Sequence, residues 1–309
     1  MKIVIVGPGA LGLLLAGLLS RSKQNVWLLD KDKERAAHIS QKGIKVEGLS
    51  GNWETAIKIT HEIKEIDKAD LVVLTVKSYD TKSAISKCKQ IIGENTYILT
   101  LQNGIGNIEL ISEEVGPEKV LGGVTNMGAT LIERGHVRHA GKGETIIGRA
   151  DGKLPVEMRR IREIFTKSGL ELRFSRDIKS LLWSKLIINV GINALTAITR
   201  LPNGKLIEYE GTRKILREAV TEAIRIAKRK RIKLIYDDPL AKVEAVCEAT
   251  SGNISSMLQD VLRKKRTEID FINGVILRQS QELRIPVPVN ALLVDLVKTI
   301  ESSYDFQKK

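Results

Sequence analysis

The stretch KLIINVGIN, residues 185–193, carries three polar side chains in an otherwise apolar run. Lys185, Asn189 and Asn193 are spaced four residues apart, so on a helix they lie on one face with a slow drift. Because an apolar helix is buried on most sides, such a stripe must face a second polar helix or a ligand cleft. A lysine that lines a cleft can have its pKa tuned and can protonate a developing alkoxide. The stripe therefore predicts either a helix–helix hydrogen-bond network or a catalytic face with Lys185 as its acid.

A second candidate is the glycine-rich stretch GPGALG, which follows the β-branched run KIVIVG and opens an apolar helix pattern. In this arrangement the first glycine makes a tight turn, the second lets the backbone approach a pyrophosphate and the third allows close helix–strand packing. The helix N-terminus then presents unpaired amides to the phosphates. The stretch predicts a dinucleotide-binding turn, with a purely structural glycine turn as the alternative. Its residues are Gly7, Pro8, Gly9, Ala10, Leu11 and Gly12.

Three polar residues follow other predicted strands. Asp30 ends NVWLLD, where a carboxylate accepts hydrogen bonds from the adenosine ribose and repels a 2′-phosphate. This favours NADH, but Lys31 and Lys33 could offset the repulsion, so NADPH is not excluded. Lys77 in TVKSYD and Asn103 in LQNG follow strands at the edge where such sheets bind ligands. Each residue has a structural alternative: Asp30 could be a turn residue at the end of a strand, Lys77 an exposed loop lysine and Asn103 an ordinary turn asparagine.

The elements that would position these residues divide the chain in two. Up to about residue 176, continuous apolar runs alternate with helix patterns, which predicts a mostly parallel, doubly wound sheet covered on both faces. Residues 136–175 contain shorter strands and one helix opening at Pro155, and from the N-cap residue Asp177 helix follows helix. We therefore predict an α/β Rossmann domain at 1–176 and an all-α domain at 177–309 that binds substrate and forms a dimer.

Two segments of the helical half carry further candidates. SGNISSMLQD, residues 251–260, suits a helix N-terminus, where amides and the hydroxyls of Ser255 and Ser256 could hold a carboxylate. TEIDFINGVILRQ, residues 267–279, places Glu268 early in an amphipathic helix. Plain capping is the alternative for the serines, and first-turn dipole chemistry is the alternative for Glu268.

The composition narrows the class of protein. The 309 residues are 42% hydrophobic and 28% charged, as expected of a globular chain, and we expect no membrane span because no apolar run approaches about 18 residues. With no cleavable leader in the sequence, a cytoplasmic location is expected. Much of the excess behind the net charge of +13 is scattered, and its densest runs, residues 225–233 and 263–266, lack interleaved aromatics, so nucleic-acid binding is not expected. Two lone cysteines, Cys88 and Cys247, and four scattered histidines predict neither a disulfide nor a metal site.

Five motifs together resemble the ketopantoate reductase (2-dehydropantoate 2-reductase) family: GPGALG, VKSYD, LQNG, WSKLIINVGINALTAITRLPNG and NISSMLQDVLRKKRTEIDFINGVI. They span both halves of the chain in the family's order. The resemblance implies a Rossmann domain followed by a helical domain, with the substrate in the cleft between them. The implied reaction is hydride transfer from NAD(P)H to the ketone of 2-dehydropantoate, which gives (R)-pantoate for pantothenate and coenzyme A synthesis.

The resemblance also implies residue roles. Lys185 stands at the position of the family's proton donor, and Glu268 at that of the acidic residue that contacts the cofactor ribose and orients the lysine. Lys77 and Asn103 match positions that contact the nicotinamide side and the substrate. The implied substrate-binding residues are Asn103, Lys185, Asn189, Asn193, Asn203, Asn253 and Ser256.

One departure and two alternatives remain. Well-studied members carry a basic or small residue where this chain has Asp30, which puts the family's usual NADPH preference in doubt here. The alternatives are another two-domain dehydrogenase of the 3-hydroxyacid kind and a non-catalytic NAD(P)H-sensing protein. If Cys88 is exposed, a thiol-bearing product such as coenzyme A could regulate activity through it.

Overall fold

The computed structural model describes residues 1–307 and divides into two compact units. The first comprises residues 1–102 and 106–178, and the second comprises residues 103–105 and the chain from residue 179 onward. The short segment groups with the second unit, where the amide of Ile105 donates to the carbonyl of Phe271 at 3.2 Å. The predicted class, an α/β N-terminal part followed by a helical C-terminal part, is confirmed.

Twelve strands form two sheets in the first unit. They are β1 Lys2–Val6, β2 Asn25–Leu29, β3 Ile44–Gly48, β4 Trp53–Thr55, β5 Lys58–Thr60, β6 Ala69–Leu74, β7 Ile92–Thr100, β8 Val120–Thr125, β9 Gly128–Glu133, β10 His136–Gly141, β11 Thr145–Gly148 and β12 Leu172–Phe174. The large sheet has the order β12-β11-β8-β7-β6-β1-β2-β5 and is parallel except at the β8–β11 pair. Its central strands are apolar on both faces because helices cover both sides.

The order of the large sheet reverses beside β1, because the chain adds β2 on one side of it and later β6 on the other. In open α/β sheets, ligands bind at such a switch point, outside the carboxyl ends of the strands. The helices of this unit are α1 Ala10–Ser20, α2 Lys33–Lys42, α3 Thr81–Cys88, α4 Asn107–Val115 and α5 Met158–Lys167. The helix predicted to open at Pro155 thus begins three residues later, after a turn in which Met158 donates to the Pro155 carbonyl.

The small sheet, ordered β4-β3-β10-β9, was not predicted as a separate layer. It packs on α1, where a Cβ on Gly17 would lie 3.1 Å from both Trp53 and Val46. Two of the strands that the apolar pattern missed, β4 and β5, are only three residues long. Strands this short carry too few alternations to be distinguished from loops.

The second unit is built from helices: α6 Ile178–Thr199, α7 Lys205–Glu208, α8 Glu210–Arg229, α9 Pro239–Ala249, α10 Ser256–Leu262, α11 Asn273–Leu283 and α12 Pro288–Ser302. Its core gathers apolar side chains of α6, α8, α9, α11 and α12. By length and composition α6 passes as a membrane span, because an 18-residue window within it has a mean hydropathy of 1.5. The expectation that no apolar run reaches this length is therefore wrong. Yet 67% of that apolar window is buried inside the structure, as in a core helix.

Candidate active site

The glycine-rich turn joins β1 to α1 at the switch point of the large sheet. Gly7 has a φ of +98°, and its amide donates to the carbonyl of Leu29 on the neighbouring strand at 3.0 Å. A Cβ on Gly12 would lie 2.1 Å from the Gly7 carbonyl oxygen and 2.7 Å from Thr75 Oγ1, so only glycine allows this helix to start so close to the turn. Gly7 and Gly12 are therefore required by the protein's own packing.

Gly9 differs from the other two glycines. Apart from Gly9 itself and its two neighbours in the chain, no atom of residues 1–307 lies within 4 Å of the place where its Cβ would be, and no side chain caps the α1 N-terminus that it begins. The turn thus leaves open space above Gly9 and uncapped amides in front of the helix. This arrangement fits a pyrophosphate, which needs close backbone approach and N–H donors.

Asp30 follows β2, the strand beside the glycine turn, but its carboxylate is already engaged. Arg35 donates from Nε to Oδ2 and from Nη2 to Oδ1, both at 2.6 Å. The amide of Asp32 also donates to Oδ1, at 3.0 Å. Only 1% of the Asp30 side chain is exposed. The structure thus places Asp30 at the expected strand end and pairs it with a cation that the sequence interpretation did not consider.

Lys77 lies at the end of β6, on the other side of β1, and precedes a 3₁₀ turn at Ser78–Asp80. A buried polar network holds the neighbouring backbone: Gln102 Nε2 donates to the Val76 carbonyl at 2.9 Å and to Thr81 Oγ1 at 2.8 Å. In the same loop, Asp80 pairs with Lys31 at 2.8 Å. Lys77 therefore occupies a supported loop at the edge of the sheet where the parallel strands have their carboxyl ends.

The polar stripe lies on α6, as predicted, in the second unit. Lys185 and Asn189 are partly buried and Asn193 is 5% exposed, among neighbours such as Leu186 and Val190 that are buried. Burial lowers the pKa of Lys185 from its ordinary value to about 8, and the carboxylate of Glu268 acts in the opposite direction. An ammonium with this pKa is protonated near neutral pH yet can release its proton there, which suits a general acid.

Glu268 is buried and immediately precedes a 3₁₀ turn at Ile269–Phe271, while α11 begins only at Asn273. The prediction that Glu268 lies early in an amphipathic helix is therefore wrong. Ile272, between the two elements, has a non-helical backbone conformation with φ −111° and ψ −92°, so the helix does not continue through it. Because Glu268 lies outside α11, the alternative of first-turn dipole chemistry on that helix is also set aside.

Asn103 is held beside this turn. A Cβ on Gly104 would lie 2.2 Å from the Phe271 carbonyl oxygen, and Gly104 has a φ of +83°. Glycine is thus the residue that lets this segment contact the turn that follows Glu268. The strand-exit asparagine and the buried acid consequently belong to one compact part of the helical unit.

Two loops and the first residue of α10 provide the remaining predicted residues of this unit. The amide of Asn203 donates to the Asn253 carbonyl at 2.9 Å, and Asn203 Nδ2 donates to Thr250 Oγ1 at 2.9 Å. Asn203 Oδ1 is buried and has no hydrogen-bond donor within the described chain. Asn253 and Ser256 are exposed, and Ser255 caps α10 by accepting from the Leu258 amide. Capping is therefore the role of Ser255, while Ser256 begins the helix with an exposed side chain.

Two residues that the sequence analysis missed connect these parts. Thr196 Oγ1 and Ser255 Oγ are 2.6 Å apart, which fixes the α10 N-terminus against α6. Asn273 on α11 donates from Nδ2 to the Val190 carbonyl at 3.2 Å. Thr196 follows Asn193 by three residues, so extending the helical stripe by one more step would have found it. Asn273 carried no such periodic signal.

Matches with known proteins identify the family. The family described as Ketopantoate reductase PanE/ApbA matches residues 3–152, and Ketopantoate reductase PanE/ApbA C terminal matches residues 177–301. The chain belongs to the ketopantoate reductase family. It is 39% identical to the 2-dehydropantoate 2-reductase of Pyrococcus horikoshii, covering 98% of both chains. It is also 35% identical to that of Halobacterium salinarum, covering 96% of this chain and 98% of the relative.

Solved structures resemble the whole chain. A PanE/ApbA family ketopantoate reductase from Ralstonia eutropha superposes with a TM-score of 0.92 at 33% identity, covering 99% of this chain and 100% of the other. D-mandelate dehydrogenase, in a ternary structure with NADH and anilino(oxo)acetate, superposes with a TM-score of 0.92 at 26% identity and the same coverage. The family thus shares its fold with a dehydrogenase whose structure contains a nicotinamide cofactor.

Both cysteines pack into apolar cores of the protein. Both are unpaired and buried, and burial raises the pKa of Cys88 to about 12. The condition for regulation through Cys88, an exposed thiol, is not met. Among residues 1–307, no group of three or more histidine, cysteine or acidic residues could hold a metal ion.

Proposed function

We propose that this chain is an NAD(P)H-dependent 2-dehydropantoate 2-reductase, which reduces the ketone of 2-dehydropantoate to (R)-pantoate on the route to pantothenate and coenzyme A. Membership of the ketopantoate reductase family carries this proposal. The stripe of Lys185, Asn189 and Asn193 supports it, because it joins a tunable acid to two amides on one helix. In this proposal the first unit binds the dinucleotide, and the helical unit binds the keto acid.

Lys185 is the proposed proton donor. Bound reduced nicotinamide would supply the hydride. As the carbonyl oxygen gains negative charge, the ammonium of Lys185 stabilises it and then transfers its proton to it. Glu268 orients the lysine and raises its pKa against the effect of burial, so that the amine is still charged at neutral pH. Proton donation by one side chain contributes about 10²–10⁴ in rate.

The asparagines and serine of the helical unit are the proposed substrate-binding groups. Asn203 Oδ1 supports this, since a buried acceptor without a donor in the described chain is costly unless a ligand supplies one. A substrate hydroxyl has the required chemistry. Asn103, Asn189, Asn193, Asn253 and Ser256 would complete the set, with amides and a hydroxyl that can orient a carboxylate and a ketone.

For the cofactor, we propose that Gly7–Gly12 hold the pyrophosphate and that Lys77 and Asn103 contact the nicotinamide side. The open space above Gly9 supports the first assignment. NADH is favoured over NADPH because Asp30 places a carboxylate at the end of β2. The preference is narrow, since Arg35 neutralises that carboxylate.

D-mandelate dehydrogenase, one of the structural neighbours, suggests one alternative substrate class. A phenyl-bearing 2-keto acid has the same reacting carbonyl and carboxylate as 2-dehydropantoate, but it lacks the hydroxyl that Asn203 Oδ1 would accept. That missing donor favours 2-dehydropantoate. Oxidation of D-mandelate with NAD⁺ should therefore be slow compared with reduction of 2-dehydropantoate.

We further propose a cytoplasmic homodimer formed by the helical unit. Leu292 and Leu296 lie one helical turn apart on α12 and are 57% and 41% exposed. Exposed apolar side chains at this spacing suit a helix–helix contact between copies. Light scattering coupled to size-exclusion chromatography would show a dimer, and Leu292→Glu would shift it to monomer.

Steady-state kinetics with 2-dehydropantoate and each nicotinamide test the proposed function. We expect turnover with both cofactors, a lower KM for NADH and pantoate as the product. Binding of NADH without turnover of any 2-keto acid would contradict the proposal and support a sensing protein. Turnover of a 3-hydroxyacid substrate in place of 2-dehydropantoate would support the other dehydrogenase class.

A further inference from the structure

The end of β2 presents a guanidinium to solvent rather than a carboxylate. The Asp30 side chain is 1% exposed, whereas the Arg35 side chain that covers it is 29% exposed. Both carboxylate oxygens accept from Arg35 at 2.6 Å in the bidentate arrangement that makes such pairs strong. A ribose substituent arriving at this strand end therefore meets Arg35 before it meets Asp30.

The pair is fixed by the local backbone. Asp32 caps α2 by accepting from the Arg35 amide at 3.0 Å, which places Arg35 in the first turn of the helix. The Asp30 amide donates to the Thr60 carbonyl at 3.0 Å, which holds the strand end in place. Hydrogen bonding to Asp30 raises the pKa of Arg35 above its ordinary value. The backbone of Arg35 is thus held by the helix cap, and one edge of its guanidinium is held by Asp30.

The charges around the pair are balanced. Residues 30–35 contain three acidic and three basic side chains, so the segment as a whole is neither a phosphate pocket nor an acidic barrier. Lys31 is engaged with Asp80 at 2.8 Å, whereas Lys33 is exposed. Arg35 therefore decides whether the buried carboxylate acts as a free negative charge.

We propose that Arg35 determines how far this chain discriminates between NADH and NADPH, by neutralising Asp30 and by directing further N–H donors towards a 2′-phosphate. A phosphate monoester carries about −1.5 to −2 charges at neutral pH, so an unpaired carboxylate would repel it and a paired one does so far less. The inference rests on the proposed use of nicotinamide cofactors. It makes the ion pair, and not Asp30 alone, the specificity-determining element.

Dissociation constants of NADH and NADPH, measured by nucleotide fluorescence without any turnover, test the inference. The ratio Kd(NADPH)/Kd(NADH) should rise about tenfold in Arg35→Gln, where Asp30 loses its partner, and fall about tenfold in Asp30→Asn, where Arg35 is released. The double variant Asp30→Asn/Arg35→Gln should give a ratio between those of the two single variants. The matched control is Lys33→Gln, which removes an equal charge two residues away and should change the ratio less than about threefold.

A ratio in Arg35→Gln within twofold of wild type, or a shift equal to that of Lys33→Gln, would overturn the inference. Melting temperatures show whether each variant is folded. If Arg35→Gln does not fold, Asp30→Asn decides alone, since an unchanged ratio there excludes a role for the pair. Failure of the proposed function would look different, because the wild-type protein would then turn over no keto acid or would bind neither nucleotide, whereas the inference concerns only the ratio of the two dissociation constants.

Discussion

The pKa of Lys185 lies at about 8, because burial lowers it and the carboxylate of Glu268 offsets part of that decrease. The two effects are set by different elements, since the lysine lies on α6 and the acid precedes the turn at Ile269–Phe271. A substitution at Glu268 should therefore change the pKa of Lys185 without altering the sequence of α6. This balance leads to the first prediction.

The rate of the chemical step should fall as pH rises through about 8, because the protonated form of Lys185 is the active one. In Glu268→Gln the influence that raises the pKa is gone, so the alkaline limb should move to lower pH. Pre-steady-state reduction rates measured across the pH range locate the alkaline limb in the wild type and in Glu268→Gln. A limb that stays in place in Glu268→Gln would contradict electrostatic coupling between the two residues.

Gly9→Ala and Gly12→Ala should fail in different ways. The Cβ of Gly9→Ala enters space that is empty in the described chain, so the variant should melt like wild type but bind NADH about tenfold more weakly. The Cβ of Gly12→Ala would overlap the Gly7 carbonyl, which should destabilise the fold by roughly 1–3 kcal/mol. Thermal unfolding and NADH titration separate the two. Normal NADH affinity in Gly9→Ala would count against a pyrophosphate at this turn.

Thr196→Val should lower kcat/KM for the keto acid about fivefold, because one buried hydrogen bond of about 1 kcal/mol holds the α10 N-terminus against α6. Thr199→Val is the matched control. Its hydroxyl donates to the Leu195 carbonyl at 2.7 Å on the same helix, so it removes the same group without touching α10. Equal effects of the two substitutions would show that Thr196 has no positioning role.

The two thiols should be unreactive in the native protein. Both cysteines are buried, and burial raises the pKa of each, to about 12 for Cys88 and about 11 for Cys247. A disulfide-exchange reagent should modify neither until denaturant is added, and two thiols per chain should then react. Rapid native labelling with loss of activity would revive regulation through Cys88.

Features with a period or a local motif could be predicted from sequence. The four-residue spacing of Lys185, Asn189 and Asn193 placed them on one helix, and the glycine-rich stretch correctly indicated a tight turn between a strand and a helix. The apolar runs gave the central strands of the large sheet because strands buried on both faces have no polar alternation.

Features that depend on three-dimensional contact could not be predicted from the sequence. Arg35 lies five residues beyond Asp30, and nothing in that spacing announces a bidentate pair; the sequence pointed instead to Lys31 and Lys33. The start of α11 was predicted too early because the break at Ile272 falls inside an amphipathic pattern. The segment 103–105 follows a strand of the first unit but groups with the helical unit, through its contact with Phe271.

The most direct test of the central claim is the single-turnover rate of keto acid reduction by Lys185→Ala. It should fall by about 10²–10⁴ while the Kd for NADH changes little. Lys185→Arg should also be slow, because a guanidinium keeps the charge but holds its proton too tightly to donate it. Lys179→Ala, which removes an exposed lysine of the same helix, should match wild type. A Lys185→Ala protein that reduces 2-dehydropantoate at a near-normal rate would contradict the account.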